Sequence, residues 1–165
     1  MIRAFHVYTF FSSAELVYPA AKKKGVSVLD TQSLLDRKLA YLMLRFTLGL
    51  DIFMHGVVRL PHLSAFADGM VKQFAETPLP AAVVRPYALS LVFVEAILGL
   101  LLLMGLGTRW SLLLGAAMIA SLVFGTALRS DWNNLAIQML YAFIYAALIA
   151  GREYNSYSVD ARIQR

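Results

Sequence analysis

Apolar positions crowd into four long runs separated by short polar breaks. The first, Leu39 to Arg59, reads LAYLMLRFTLGLDIFMHGVVR. At ~1.5 Å rise per residue it is long enough to cross a bilayer core. It also carries Arg45, Asp51 and His55. Ionisable groups are costly at membrane depth, so this span is not lipid-exposed all round and needs partner helices. The second run, Tyr87 to Leu106, is opened by Pro86 and holds one charge, Glu95. Gly105-Leu106-Gly107-Thr108-Arg109 reads as a tight turn, which makes spans two and three a hairpin. The third run is Trp110 to Leu128 and the fourth Asn133 to Ala150. Each of these two has a small-residue stripe, Ala117/Ser121/Gly125 and Ala142/Ala146/Ala150. Such stripes predict close helix contacts, because packing rather than hydrophobicity drives association in lipid.

The segments between and around the spans have a different period. Pro61 stops the first span. Leu63, Phe66, Ala67, Met70, Val71 and Phe74 then recur at helical spacing, with Asp68, Lys72 and Glu76 off that face. This predicts a short amphipathic helix at the membrane interface, ended by Thr77-Pro78-Leu79-Pro80. Residues 1–38 are the least membrane-like part. Ala4 to Phe11 (AFHVYTFF) is aromatic but too short to span, and it reads better as an interfacial segment than as a signal peptide. Asp30 or Thr31 can cap a helix that runs through Leu34, Leu35 and Lys38 into the first span. Residues 151–165 read as a polar, soluble tail. The expected fold is therefore all-α, an integral membrane four-helix bundle with an interfacial helix between spans one and two. Its three parts are an N-terminal interfacial or docking extension (1–38), the four-span domain (39–150) and a cytoplasmic tail (151–165).

Composition agrees with the pattern. Of 165 residues 59% are hydrophobic and only 15% charged, against about 25% charged in a typical soluble domain. The chain has no cysteine, which excludes disulfides, thiolate metal sites and iron–sulfur clusters. The net charge of +5 reads as a basic cytoplasmic face beside anionic lipid. No motif points to nucleic acid.

Four spans put both ends on one side. Arg3, Lys22, Lys23, Lys24, Arg37, Lys38, Arg109, Arg152, Arg162 and Arg165 lie on that side; Arg59, Lys72, Arg85 and Arg129 lie on the other. The excess predicts that both termini are cytoplasmic. Asp51, His55, Glu95, Gln138 and Tyr141 then all fall in the outer half of the bundle. Asp51 and His55 share a helical face, and His55 and Glu95 lean toward each other because helical side chains tilt toward their own N-terminus. One reading is a pocket for a quinone. Glu95, His55 and Asp51 would handle protons as candidate catalytic residues, and Gln138 and Tyr141 would contact the head group. The other is a buried polar network that fixes helix register. Arg45 lies deeper and can snorkel toward the cytoplasmic side. Haem ligation by His55 lacks a second histidine at membrane depth, since His62 is outside and His6 on the other face.

An ordered set of short pieces resembles the DoxX family of small four-helix membrane proteins, in particular the branch like the DoxD membrane subunit of thiosulfate:quinone oxidoreductase. The pieces are Arg45 with Leu48-Gly49, His55-Gly56, Phe66-Ala67-Asp68-Gly69-Met70, Leu79-Pro80, Val94-Glu95, Gly99-Leu100-Leu101-Leu102, Gly105-Leu106-Gly107-Thr108-Arg109, Phe124-Gly125 and Asp131-Trp132, over about residues 40–150. The resemblance implies a quinone-linked oxidoreductase subunit in a bacterial or archaeal inner membrane. Arg45 and Glu95 match that family's charged intramembrane positions, and Arg45 thereby joins the candidates for holding a quinone. The chain shows no redox-cofactor motif of its own, and residues 1–38 exceed that family's usual lead-in. Both features suit a second expectation equally well, an accessory subunit of a larger respiratory or photosynthetic membrane complex.

Overall fold

The computed structural model describes residues 28–163; the aromatic Ala4–Phe11 segment and Lys22–Lys24 lie outside the described residues. All regular structure among the described residues is helical. Helix α1 (Val28–Arg59) is continuous from the polar lead-in through the first span. A single 3-10 turn, Leu60–His62, carries Pro61 and leads into α2 (Leu63–Gln73). Three more long helices follow: α3 (Ala81–Met104), α4 (Thr108–Leu128) and α5 (Trp132–Ala150). A second 3-10 turn at Arg152–Tyr154 precedes the short α6 (Val159–Ile163). Four stretches are long and apolar enough to cross a membrane, with α1, α3, α4 and α5 supplying them. The protein is a multi-pass membrane protein of the expected all-α class.

The helix bounds differ from the apolar runs for local reasons. Helix α3 starts at Ala81, with Pro80 as its extended N-cap, so Pro86 sits inside the helix rather than at its head. It lies in the second turn and has no N–H, so the Ala82 carbonyl goes without its usual helical donor, one turn from the helix start. Helix α5 starts one residue early because the Asp131 side chain accepts from the Asn134 N–H and caps it.

The bundle is built from two close pairs, α1 with α3 and α4 with α5, while the α3/α4 and α1/α5 seams are sparser. Helix α2 packs chiefly on α3. The α1/α3 pair meets backbone to backbone. A Cβ on Gly56 would collide with the α3 backbone at Val92 and Ala96, and one on Gly99 would collide with the α1 backbone at Phe53. In the other pair, the buried Tyr145 ring fills the space beside Gly115. The predicted stripes do not make these contacts. Ala117, Ser121, Ala146 and Ala150 are exposed on the bundle surface. Glycine permits closer approach than alanine or serine, so the glycines take the tight seams.

The tail does not run free into solvent. It folds back under the turn between α3 and α4. The Asp160 carboxylate accepts from the Gly107 and Thr108 N–H groups, both at 2.7 Å, and caps α4 from 52 residues downstream. These hydrogen bonds, with the Arg45 charge, outweigh the effect of burial and hold the Asp160 carboxyl below the usual carboxylate range. The Asp160 N–H donates to the Gly105 carbonyl, and the Asn155 amide donates to Thr108 Oγ1 at 3.0 Å. Helix-terminal groups that would otherwise lack partners drive this docking.

Candidate functional site

The polar residues of the spans separate into two groups at opposite ends of the bundle. Arg45 belongs to the tail end. It is 1% exposed and donates to the carbonyls of Leu102, of Leu103 (3.2 Å) and of Tyr157 (2.8 Å). Leu102 and Leu103 lie in the last turn of α3, where carbonyls have spare acceptor capacity and a cation is favoured by the helix dipole. The side chain is a clamp between α1, the end of α3 and the tail. It neither snorkels to solvent nor lines the cavity described next, so the structure sets it apart from the other candidate site residues.

At the opposite end, under α2, a cavity of about 480 Å³ lies between all four long helices. This is within the range of small-molecule sites. His55, Glu95, Gln138 and Tyr141 line it, together with Arg59, Arg129 and the rings of Phe66, Phe74 and Tyr87. Asp51 is not in the wall but accepts from the Tyr141 hydroxyl at 2.5 Å. Sequence reasoning thus brought Asp51, His55, Glu95, Gln138 and Tyr141 to the correct end of the bundle.

The pairing inside this group differs from expectation. Glu95, 4% exposed, is bonded to neither His55 nor Asp51. It accepts from Arg59 Nη1 at 2.6 Å. The close seam sets this register: Gly56 lies against Val92 and Ala96, so Arg59, one turn further along α1, reaches Glu95 with its long side chain. Read along the chain alone, Arg59 looks like a loop arginine that ends the span. The available signal was Gly56 facing a helix that carries a lone carboxylate. Arg59 also stacks 4.6 Å above the Phe66 ring of α2, which ties α2 to the ion pair.

A second arginine sits at the rim. Arg129 donates to Asp131 at 2.5 Å and to the Gln73 side chain of α2, and stacks on Phe74. The Asn134 side-chain and backbone donors, joined by Arg129, hold the Asp131 carboxyl below the usual range. Both cavity arginines are therefore paired to a carboxylate, which leaves the lining near electrical neutrality.

Deeper in the wall, hydrogen bonding fixes two orientations. Thr126 Oγ1 donates to the Leu122 carbonyl, so it can only accept from Gln138 Nε2, at 2.8 Å. Gln138 Oε1 is then buried with no protein partner. His55 Nδ1 lies 2.9 Å from the Asp51 carbonyl oxygen. That oxygen only accepts, so Nδ1 carries a proton. The Asp51 carboxylate also lies 3.7 Å from His55 Nδ1, with the two side chains 41% and 42% exposed in the seam between α1 and α5. Among the described residues, no group of three or more His, Asp or Glu residues is gathered to hold a metal ion.

A family model described as "Methylamine utilisation protein MauE" matches residues 37–138. That span contains the whole cavity lining except Tyr141. No curated protein and no solved structure matches the chain. The match overturns the resemblance to DoxX, which is a different membrane family. The shared pieces have a physical origin that many bundles meet. Gly56 and Gly99 are set by backbone contact, and Arg45 by helix-terminal carbonyls.

Proposed function

Because the chain belongs to the MauE family of methylamine utilisation proteins, we propose that it is an accessory membrane subunit working beside partner proteins of an amine-utilisation system. The observation that carries this reading is the α1/α5 seam. Asp51 and His55 stand about two-fifths exposed at membrane depth, where uncovered ionisable groups are costly. A partner helix laid on this seam would cover them and complete their hydrogen bonds. The flanking side chains, Val58 at 61% exposure and Ile137 at 55%, supply an apolar border for that helix. The ten-to-four distribution of basic residues favours an inner-membrane orientation with both ends cytoplasmic. The segment ahead of the family match, residues 1–36, is a second docking candidate.

Photo-crosslinking in native membranes tests this reading. Probes at Val58 and Ile137 should capture the same membrane protein. A probe at Ile97, equally exposed on α3, should capture none. Adducts to lipid alone at both seam positions would refute the proposal.

A further inference from the structure

At the tail end of the bundle, away from the cavity under α2, a hollow of about 200 Å³ lies between the start of α4 and the end of α5. Arg109, Leu112, Leu113, Ile149 and Arg152 line it. It is smaller than the ~300 Å³ at which small-molecule sites begin, so it takes a head group rather than a whole ligand. Arg109 stands in the first turn of α4, and Arg152 opens the 3-10 turn that follows α5. The α4/α5 hairpin thus brings two cations that are distant in sequence to one pocket. Leu112 is fully buried, while Leu113 and Ile149 are 39% and 38% exposed on the span side of the arginines.

The arginines divide into two sets. Arg37, Arg45, Arg59, Arg85 and Arg129 each donate to an acceptor within the protein. The guanidinium groups of Arg109, Arg152 and Arg162 have neither a hydrogen-bond nor an ion-pair partner among the described residues. Even Glu153, next in the chain to Arg152, pairs with neither lining arginine. Arg109 lies 5.7 Å from the centre of the Trp110 ring. That ring is 65% exposed, and an exposed tryptophan at the end of a span belongs at head-group depth.

Charge and depth select the occupant. Two unpaired arginines beside apolar side chains suit an anion that carries its own apolar part. The planar fork of a guanidinium matches phosphate oxygens. The N–H groups that open α4 do not supply this contact, because those of Gly107 and Thr108 are already taken by Asp160. We propose that the pocket holds the phosphate of one anionic phospholipid, with Arg109 and Arg152 on the phosphodiester and the acyl chains over Leu113 and Ile149. A zwitterionic lipid would bring a further positive charge to the two cations. The site lies on a different helix pair from the α1/α5 seam, so it goes beyond the accessory role and stands or falls independently of that partner.

The test is a titration of the full chain in neutral detergent, with bound lipid counted by native mass spectrometry. The probes are phosphatidylglycerol, phosphatidylcholine of the same chains, and glycerophosphoglycerol, the head group without chains. One phosphatidylglycerol should bind more tightly than either of the others. Arg109→Gln and Arg152→Gln should each weaken it about fivefold, as expected for loss of one cation at a lipid head group. Arg162→Gln removes an equally unpaired arginine outside the pocket and should leave binding unchanged. Both pocket arginines are exposed, and thermal unfolding of each variant verifies the fold. Equal binding of phosphatidylcholine would overturn the proposal, as would equal binding of the chain-free head group, which would make the site one for soluble phosphates. An Arg162→Gln loss as large as the other two would reduce the effect to diffuse surface charge and overturn it as well.

Discussion

Arg59 and Glu95 join the last residue of α1 to the middle of its antiparallel neighbour α3, with Nη1 2.6 Å from Oε2. The carboxylate side chain is 5% exposed and the guanidinium 30%. Arg59 thereby neutralises the one charge in the second span and anchors Phe66 of α2 above the cavity. Its loss would leave Glu95 buried and unpaired.

Removing one partner of a buried ion pair costs about 3–5 kcal/mol. Because Arg59 is partly exposed, Arg59→Met should fall at the low end of that range in thermal unfolding in detergent. Glu95→Gln should keep the fold, since the amide still accepts from Arg59. The double variant Arg59→Met/Glu95→Met should recover most of the loss. A double variant less stable than Arg59→Met alone would mean that the pair is not the source of the effect.

Gly56 and Gly99 hold α1 and α3 at backbone contact. Gly56→Val or Gly99→Val must push the helices apart, which costs about 1–3 kcal/mol or more. Ala146→Val, on the exposed face of α5, should be close to neutral. Unfolding midpoints measured side by side should rank Ala146→Val well above both glycine variants.

Asp160 controls the docked tail. Its folded-state pKa is depressed, so its contribution to stability is present at neutral pH. It disappears as pH falls through the folded value, below the usual carboxylate range. Limited proteolysis, with an acid-active protease at low pH and a neutral protease at neutral pH, each calibrated on an unfolded substrate, should release residues beyond Gly151 only under those acidic conditions. Asp160→Ala, lacking the cap, should be cut at neutral pH as well, with a loss of about 1 kcal/mol. A wild-type tail cut equally at all pH values would exclude this linkage.

Arg37, Lys38, Arg109, Arg152 and Arg162 gather at the tail end of the bundle, and Arg59, Lys72, Arg85 and Arg129 at the α2 end. Reporter fusions after Lys38 and in the loop between α2 and α3 should report opposite sides, with the Lys38 fusion cytoplasmic. Both fusions on one side would refute the four-span topology.

The sequence by itself determined the class, the number of spans, the amphipathic α2 and the end of the bundle where Asp51, His55, Glu95, Gln138 and Tyr141 meet. These follow from run length, helical period and alternating direction, all of which are local properties of the chain. Only the tertiary structure decided which partner each polar group takes. Glu95 pairs with Arg59 because Gly56 fixes the α1/α3 register, and the facing of two helices is not encoded in either one alone. Arg45 turned from candidate ligand holder to clamp because the end of α3 and the returning tail bring three carbonyls to it. The same holds for the docked tail, whose polar composition reads as solvated until the unpaired N–H groups that open α4 are placed beside Asp160.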